Sequence, residues 1–412
     1  AAAAHQLPAT VRADAERLLA DTLAVGAAGA TAPGAEQVRA AARAWGKGNE
    51  ARLLGSAERL PAPAAAFVNG FQIHCLEWDA VHEPAVVHAL SVVTAALLAV
   101  IDRRSKGADE VLEALAVGVD IAAGLGLAAD TPLTFFRPAT AGCVGAALAC
   151  ARIEGIARAQ MPDVLGLAYS FCAGTMQAHI EGSIALPLQI GNAARAAVTA
   201  VDLVQAGLTG PHDALEGPMG YFRLFDRGDL TRYMRALGQD WRISEVSVKP
   251  YPSGRASHGV LSALADLRGG GEIVHIEARV PPLVVRLVGR PASPEMTPAY
   301  ARLCLPVLAE LMIADGHIDP RRFADLPPVP GRLTLVDDGN PDPNALAPQS
   351  VIVRYADNRR ETRTLAHVLG SPVAPLSPAQ VAAKRDLARA LAPHDHDPRI
   401  FDRPLDYLLD AA

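Results

Sequence analysis

The chain has 412 residues, 50% of them hydrophobic and 20% charged, with a net charge of −6; this is enough apolar sequence for two packed cores and excludes a disordered chain. Basic runs and aromatic–basic interleaving are absent, which excludes nucleic acid as the partner, and no Lys/Arg cluster marks a membrane surface. Five cysteines, at positions 75, 143, 150, 172 and 304, form no CxxC pair and read as packing residues in a reducing cytosol.

In chain order, the opening AAAAHQLPAT has neither the basic start nor the apolar core of a signal peptide and reads as a lead-in. From Val11 to about Leu208, Ala, Leu and Val recur at helical spacing, broken by short clusters such as GKGNE and DRRSKGADE. Over Asp109–Leu127, Leu112, Leu115, Ala116, Val119 and Ala123 line one face, the periodicity of a buried helix. Gly118, Gly124 and Gly126 each cost that helix up to ~1 kcal/mol relative to alanine, so they read as points of close approach to a neighbour. The charge-free run Ala89–Ile101 falls short of the ~18 residues of a membrane span.

One stretch of this helical region departs from the pattern. Phe67–Ala89 crowds His74, His82, His88, Glu77, Asp79 and Glu83 between two apolar runs. Pro84 suits the first position of the following helix, which would leave Asp79, His82 and His88 at a rim; His74 reads as a packing or helix-end residue. The plain alternative is a polar loop in which Asp79 is a cap and His88 a satisfied core histidine.

After about Lys249 the pattern changes. Glu272–Val280, Arg332–Asp338 and Ser350–Leu365 alternate apolar and polar residues as strands do, the last pair turning at Asp357 and Asn358. A helix over Thr297–Ala314 covers the sheet, Gly269–Gly271 make a turn, and Ser377–Pro378 open a helix through Leu391. The expected organisation is a mainly α-helical domain over residues 1–248, a smaller α+β domain over 249–375, and a return to the helical domain over 376–412. GLGLAAD from Gly124 follows a helix and lacks the third glycine of a dinucleotide fingerprint. HDHD at His394–Asp397 stands in a loop without a further ligand cluster, so no metal site is expected.

Two segments carry a resemblance. Asn69, Gly70, His74, Leu76, Glu77, Asp79, His82 and His88 stand as in the first signature of the MmgE/PrpD family, the 2-methylcitrate dehydratases and cis-aconitate decarboxylases. KPYPSGRASHG, Lys249–Gly259, resembles a second signature, with Gly254 in place of a cysteine. The resemblance implies the α+β unit as a lid over a cleft, a homodimer, no metal or organic cofactor, and a small di- or tricarboxylic acid as substrate of a dehydratase-type lyase. Abstracting a proton beside a carboxylate needs cations for the developing charge and a base within reach. Arg137, Lys249 and Arg255 are expected to clamp the carboxylate. His258 and His88, one from each domain, would exchange protons on opposite faces, with Asp79 orienting one of them; His82, Gln177 and Gln189 would add polar contacts.

The sequence departs from the family pattern at Arg137, where a histidine is usual, at Leu186, Pro187 and Gln189, where lysine, arginine and histidine are usual, and at Cys304 and Val307, where serine and tyrosine are frequent. Arg137 is expected to replace the anion binding that Leu186 cannot provide. The alternatives are an epimerase, isomerase or decarboxylase of the same fold, and a catalytically silent carboxylate binder.

Overall fold

The computed structural model describes residues 7–410 apart from residue 236; the first six residues of the lead-in lie outside that range. Helices Ala62–His74, Ala89–Ile101, Ala108–Ala128, Arg137–Ile153 and Ala185–Gln205 pack into one core with helix Ala9–Gly29 across them. Small residues bring their axes together. A Cβ on Gly70 would lie 2.9 Å from the Gly191 Cα, and one on Gly118 would lie 2.8 Å from Val93 and 2.9 Å from Ala149. Gly124 abuts Tyr233 and Gly126 abuts Ala85, so each glycine of Ala108–Ala128 is a contact point whose packing offsets its low helix propensity. This helix is the one among the described residues long and apolar enough to cross a membrane, and 78% of its apolar window is buried inside the protein.

The second core is built on a four-stranded sheet in the order Leu333–Asp337, Ile273–Val280, Gln349–Tyr355, Arg360–Leu365, with the first pair parallel and the others antiparallel. Ile276, Ala278, Val280, Val351, Val353 and Tyr355 point to one face, where helices His258–Leu267 and Leu305–Asp315 bury Val260, Leu261, Leu264, Leu308 and Met312 against them. The fold is therefore a mainly helical domain with a smaller α+β domain. Helix Pro378–Leu391, capped by Ser377 and Gln380, lies on Ala9–Gly29, and Ala388, Ile400, Phe401, Tyr407 and Leu408 join the helical core.

Two expectations about elements are corrected. The helix over Thr297–Ala314 is two helices, Pro298–Ala301 and Leu305–Asp315, with extended backbone at Cys304. Pro306 has no N–H to continue a helix from above, so the chain breaks before it. Pro84 does not open a helix either: the next one begins at Ala89 with His88 as its N-cap, and residues between Cys75 and His88 form a folded loop with Glu77 and Val86 at positive φ. Both breaks face the boundary between the two cores, and the functional groups collect there.

Candidate active site

The loop after helix Ala62–His74 turns back on itself, so that Asp79 comes to rest under the helix end with no solvent exposure. Its Oδ2 accepts hydrogen bonds from His74 Nδ1 at 2.9 Å, from His88 Nδ1 at 3.0 Å and from the Ser91 hydroxyl. The Ala80 carbonyl also lies 3.1 Å from His88 Nδ1. With two acceptors on that nitrogen, the Nδ1 of His88 carries the proton and its Nε2 is the free lone pair. One carboxylate oxygen thus orients two imidazoles, whose rings meet edge to face at 4.9 Å.

The pKa values of the two rings are displaced in opposite directions. Burial works against charge on His74, but Asp79 and Glu77, the latter 3.4 Å from its Nε2, outweigh it and raise the His74 pKa. Burial also acts on His88; there Asp79 opposes it, but Lys249 and His74 add to it, so the His88 pKa is lowered. Burial works to raise both carboxyls, yet the surrounding positive charge holds Glu77 down to about 2 and Asp79 well below the usual carboxylate range. Two adjacent imidazoles with pKa values displaced in opposite directions are the arrangement in which acid and base roles separate.

These groups border a cavity of about 70 Å³ between the two cores. His74, Glu77, His88, His179, Arg137, Arg255 and Glu83 form its polar wall, and Val86, Phe136, Leu186, Leu287 and Leu303 are among its apolar residues. Burial and the neighbouring Arg290 push His179 down to about 4, so it faces the cavity neutral.

The expected site residues divide into those that reach this cavity and those that do not. His88, Arg137 and Arg255 line it. Arg137 is fully buried and donates to Asp226 at 3.3 Å, to the Thr131 carbonyl at 2.8 Å and to the Ala85 carbonyl at 3.2 Å. Arg255 donates to Glu83 at 2.8 and 2.9 Å and to the carbonyls of Leu369 and Val368. Asp79 stands directly behind the two histidines. Lys249 stands one layer back as well, its Nζ 3.0 Å from the Glu77 carbonyl, 3.3 Å from Glu77 Oε2 and 3.8 Å from Asp79 Oδ1.

His258 is the principal correction. It is fully buried and does not line the cavity; its Nδ1 accepts from Arg255 at 3.3 Å and its Nε2 lies 3.2 Å from the Ser253 carbonyl. Burial, Arg255 and Lys249 hold its pKa well below the ordinary value, so it is a neutral brace for Arg255. His82, expected at an exposed rim, is likewise fully buried, between Glu245 at 2.8 Å and the Ala85 N–H at 3.2 Å. Gln177 is exposed and bonded to Glu181, and Gln189 donates to the Thr175 carbonyl at 3.2 Å; neither lines the cavity. Sequence patterning gives His74 and Glu77 no chemical role. The available signal was the spacing of His74 at a helix end from Glu77 and Asp79 three and five residues on, too short a link to continue the helix and long enough to fold back on it.

One atom each of His74, Glu77 and His88 lie within 4.8 Å of one another, the one such grouping among the described residues that a metal ion could bridge. The Lys249 ammonium already occupies Glu77, and a second cation there would meet it at close range, so the set suits proton transfer better than metal binding.

Residues 1–233 match the model of the MmgE/PrpD N-terminal domain. The chain belongs to the MmgE/PrpD family. Among curated MmgE/PrpD relatives, cis-aconitate decarboxylase of Homo sapiens is 27% identical over 263 residues, covering 61% of this chain and 54% of that protein. A cis-aconitate decarboxylase-like protein of Aspergillus oryzae is 28% identical over 291 residues, covering 64% and 58%, and the Mus musculus cis-aconitate decarboxylase is 28% identical over 269 residues, covering 61% and 54%. The matches span a little over half the length of these relatives. Of the positions at which this chain departs from the MmgE/PrpD pattern, Arg137 and Leu186 lie in the cavity wall, whereas Cys304 and Val307 are buried in the α+β core.

Proposed function

We propose that this protein is a cofactor-independent lyase that moves a proton on a small carboxylic acid, with His88 as base and His74 as acid. The observation that carries the reading is the pair itself: two imidazoles on one Asp79 oxygen, with pKa values displaced in opposite directions, both on the cavity wall. In a dehydration the lone pair of His88 Nε2 takes a proton from the carbon beside the carboxylate while the His74 imidazolium protonates the leaving oxygen. In a decarboxylation no carbon-bound proton is removed, and the His74 imidazolium protonates the carbon whose bond to the departing carbon dioxide has broken. Asp79 touches both rings, so the charge that leaves His74 and the charge that appears on His88 are balanced by one carboxylate throughout. The decarboxylase names of the relatives support this lyase reading.

The cavity favours an acid with a single carboxylate. Around it stand five cations, Arg137, Arg255, Lys249, His74 and, against His179, Arg290, and four carboxylates, Glu77, Asp79, Glu83 and Asp226. A monoanion balances the single excess positive charge, whereas a tricarboxylate would leave an excess of two negative charges. Leu186 and the other apolar wall residues, and the volume of about 70 Å³, favour a compact and largely apolar body. Because both rings stand on one wall, proton removal and return occur on one face of the substrate; this favours a proton-shifting isomerase as the second reading.

Proton NMR in deuterated buffer with acids bearing one, two and three carboxylates tests the proposal. Exchange or loss of a carbon-bound proton on a monocarboxylate is expected with the wild type and not with His88→Ala; unchanged exchange in His88→Ala, or turnover of tricarboxylates alone, would sink it. Release of water or carbon dioxide separates the lyase from the isomerase.

A further inference from the structure

The break between helices Pro298–Ala301 and Leu305–Asp315 leaves Arg302 in an unusual position. Its side chain is buried, with the residue 4% exposed, yet among the described residues its guanidinium has no carboxylate or carbonyl partner, and its Nε is a fully buried donor without a hydrogen bond. Its one close partner is the face of Phe323, 4.6 Å from the guanidinium carbon. The other well-buried arginines differ: Arg52 has Asp102 and three backbone carbonyls, Arg137 has Asp226, and Arg255 has Glu83. Burial pulls the Arg302 pKa down to about 10, which leaves it cationic at neutral pH. Of the anionic groups acting on it, the Cys75 thiol is held up at about 12 by burial and is uncharged, and Glu77 already faces Lys249 and His74.

Arg302 stands where two cavities adjoin, of about 630 and 200 Å³. The larger is also bordered by Ser183 and Ile184 at the N-terminus of the 21-residue helix Ala185–Gln205 and by Tyr300. That helix end contributes partial positive charge, while its first N–H groups, of Ala185 and Leu186, are already bonded to Ser183. Glu181 and Glu295 also border this cavity as exposed residues, and Arg321, in the smaller one, is neutralised by Asp319. An unpaired buried guanidinium is costly unless something compensates it, and its planar fork matches a planar or tetrahedral oxyanion.

We infer that the Arg302 groove is a binding site for a small oxyanion, a carboxylate or a phosphate, separate from the reaction cavity. No residue lines both; His74–Glu77 and Arg302–Leu303 contribute to opposite sides of the partition between them. The anion receives a forked contact from Arg302 and the field of the Ala185–Gln205 helix end, and its binding removes the uncompensated charge. It therefore stabilises the folded chain in proportion to its occupancy.

The test uses the full chain, with calorimetric titration and thermal melting at constant ionic strength in chloride, and with inorganic phosphate and acetate as separate arms that distinguish the two oxyanion types. At least one of them is expected to fill the groove at one site per chain, in addition to any acetate held in the reaction cavity, with a rise in melting temperature. Affinity should fall at least tenfold in Arg302→Met and in Ala299→Glu, which places a carboxylate in the groove without removing the buried arginine. It should be unchanged in His88→Ala, which alters the reaction cavity. Absence of binding by both anions, or undiminished binding in Arg302→Met, would overturn the inference; if Arg302→Met does not fold, undiminished binding in Ala299→Glu does so. Loss of binding in His88→Ala would place the anion in the reaction cavity and overturn it as well.

Discussion

The two polar segments that stand out in this sequence, Phe67–Ala89 and Lys249–Gly259, meet at the same boundary and do different things there. The first presents His74, Glu77 and His88 to the cavity, with Asp79 behind them. The second contributes Gly254, Arg255 and Ala256 to the wall, while Lys249 and His258 point into the protein and make contacts a layer back. Equal density of titratable residues therefore does not mean equal chemical access: in one segment the groups are reactive candidates, and in the other most of them hold the reactive wall in place.

The sharpest way to break this contrast is to remove one histidine from each segment. His88→Ala should lower turnover by roughly 10²–10⁴-fold, the usual contribution of a positioned acid or base, beside a stability loss of about 1–3 kcal/mol from its removed contact to Asp79. His258→Asn should lose a similar amount, about 1–3 kcal/mol, through the disturbed Arg255 and Ser253 contacts but show a much smaller loss of turnover. If His258→Asn is as inactive as His88→Ala at unchanged stability, the division of roles is wrong.

Lys249→Met leaves Glu77 and Asp79 buried without their ammonium. Breaking a buried pair in this way costs roughly 3–5 kcal/mol, to be read from the urea midpoint. Adding Glu77→Gln should restore part of that loss; absence of any restoration would mean that Lys249 stabilises the protein by other contacts.

A smaller effect is expected from pH. His258, His88 and His179 all have folded pKa values below the unfolded value of about 6.5, so they take up protons more readily in the unfolded chain. Their contribution is complete above pH ~6.5 and declines as the pH falls toward their folded values. His74, whose folded pKa is raised, has the reverse sign: its contribution is full below ~6.5 and is lost as the pH rises through the folded value. Three groups against one predict net destabilisation between pH 7 and 5, and His258→Asn should flatten that slope. A chain equally stable at both pH values would contradict it. Smallest of all, Gln177→Ala, at an exposed position away from the cavity, should change stability by no more than about 0.5 kcal/mol and leave KM unaltered.

Much of this was legible in the sequence because it rests on local order. Helical spacing over Asp109–Leu127, alternation over Glu272–Val280, the Ser377–Pro378 helix start and the two signature segments each depend on residues near one another in the chain, and so does family membership. The roles within the signatures were not legible to the same degree. His258 appeared exposed to a cleft because Lys249, Arg255 and three neighbouring small or rigid residues suggested a bent surface segment, yet a 3₁₀ turn at Arg255–Ser257 puts it at the start of a buried helix. His74 appeared to be packing because it ends an apolar helix; the positive φ at Glu77 then folds Asp79 back beneath it.

The sequence by itself therefore determined the kinds of element, the mainly helical and smaller α+β parts, and which short segments hold the titratable groups, since periodicity and composition act over a few residues. Only the tertiary structure decided which of those groups share a carboxylate and that, among the well-buried arginines described, Arg52, Arg137 and Arg255 are neutralised and Arg302 is not. Partners such as Arg137 and Asp226, Arg255 and Glu83, or Lys249 and Glu77 are 89 to 172 residues apart in the chain. Their charges, pKa values and access are set by distances and burial that no local pattern encodes.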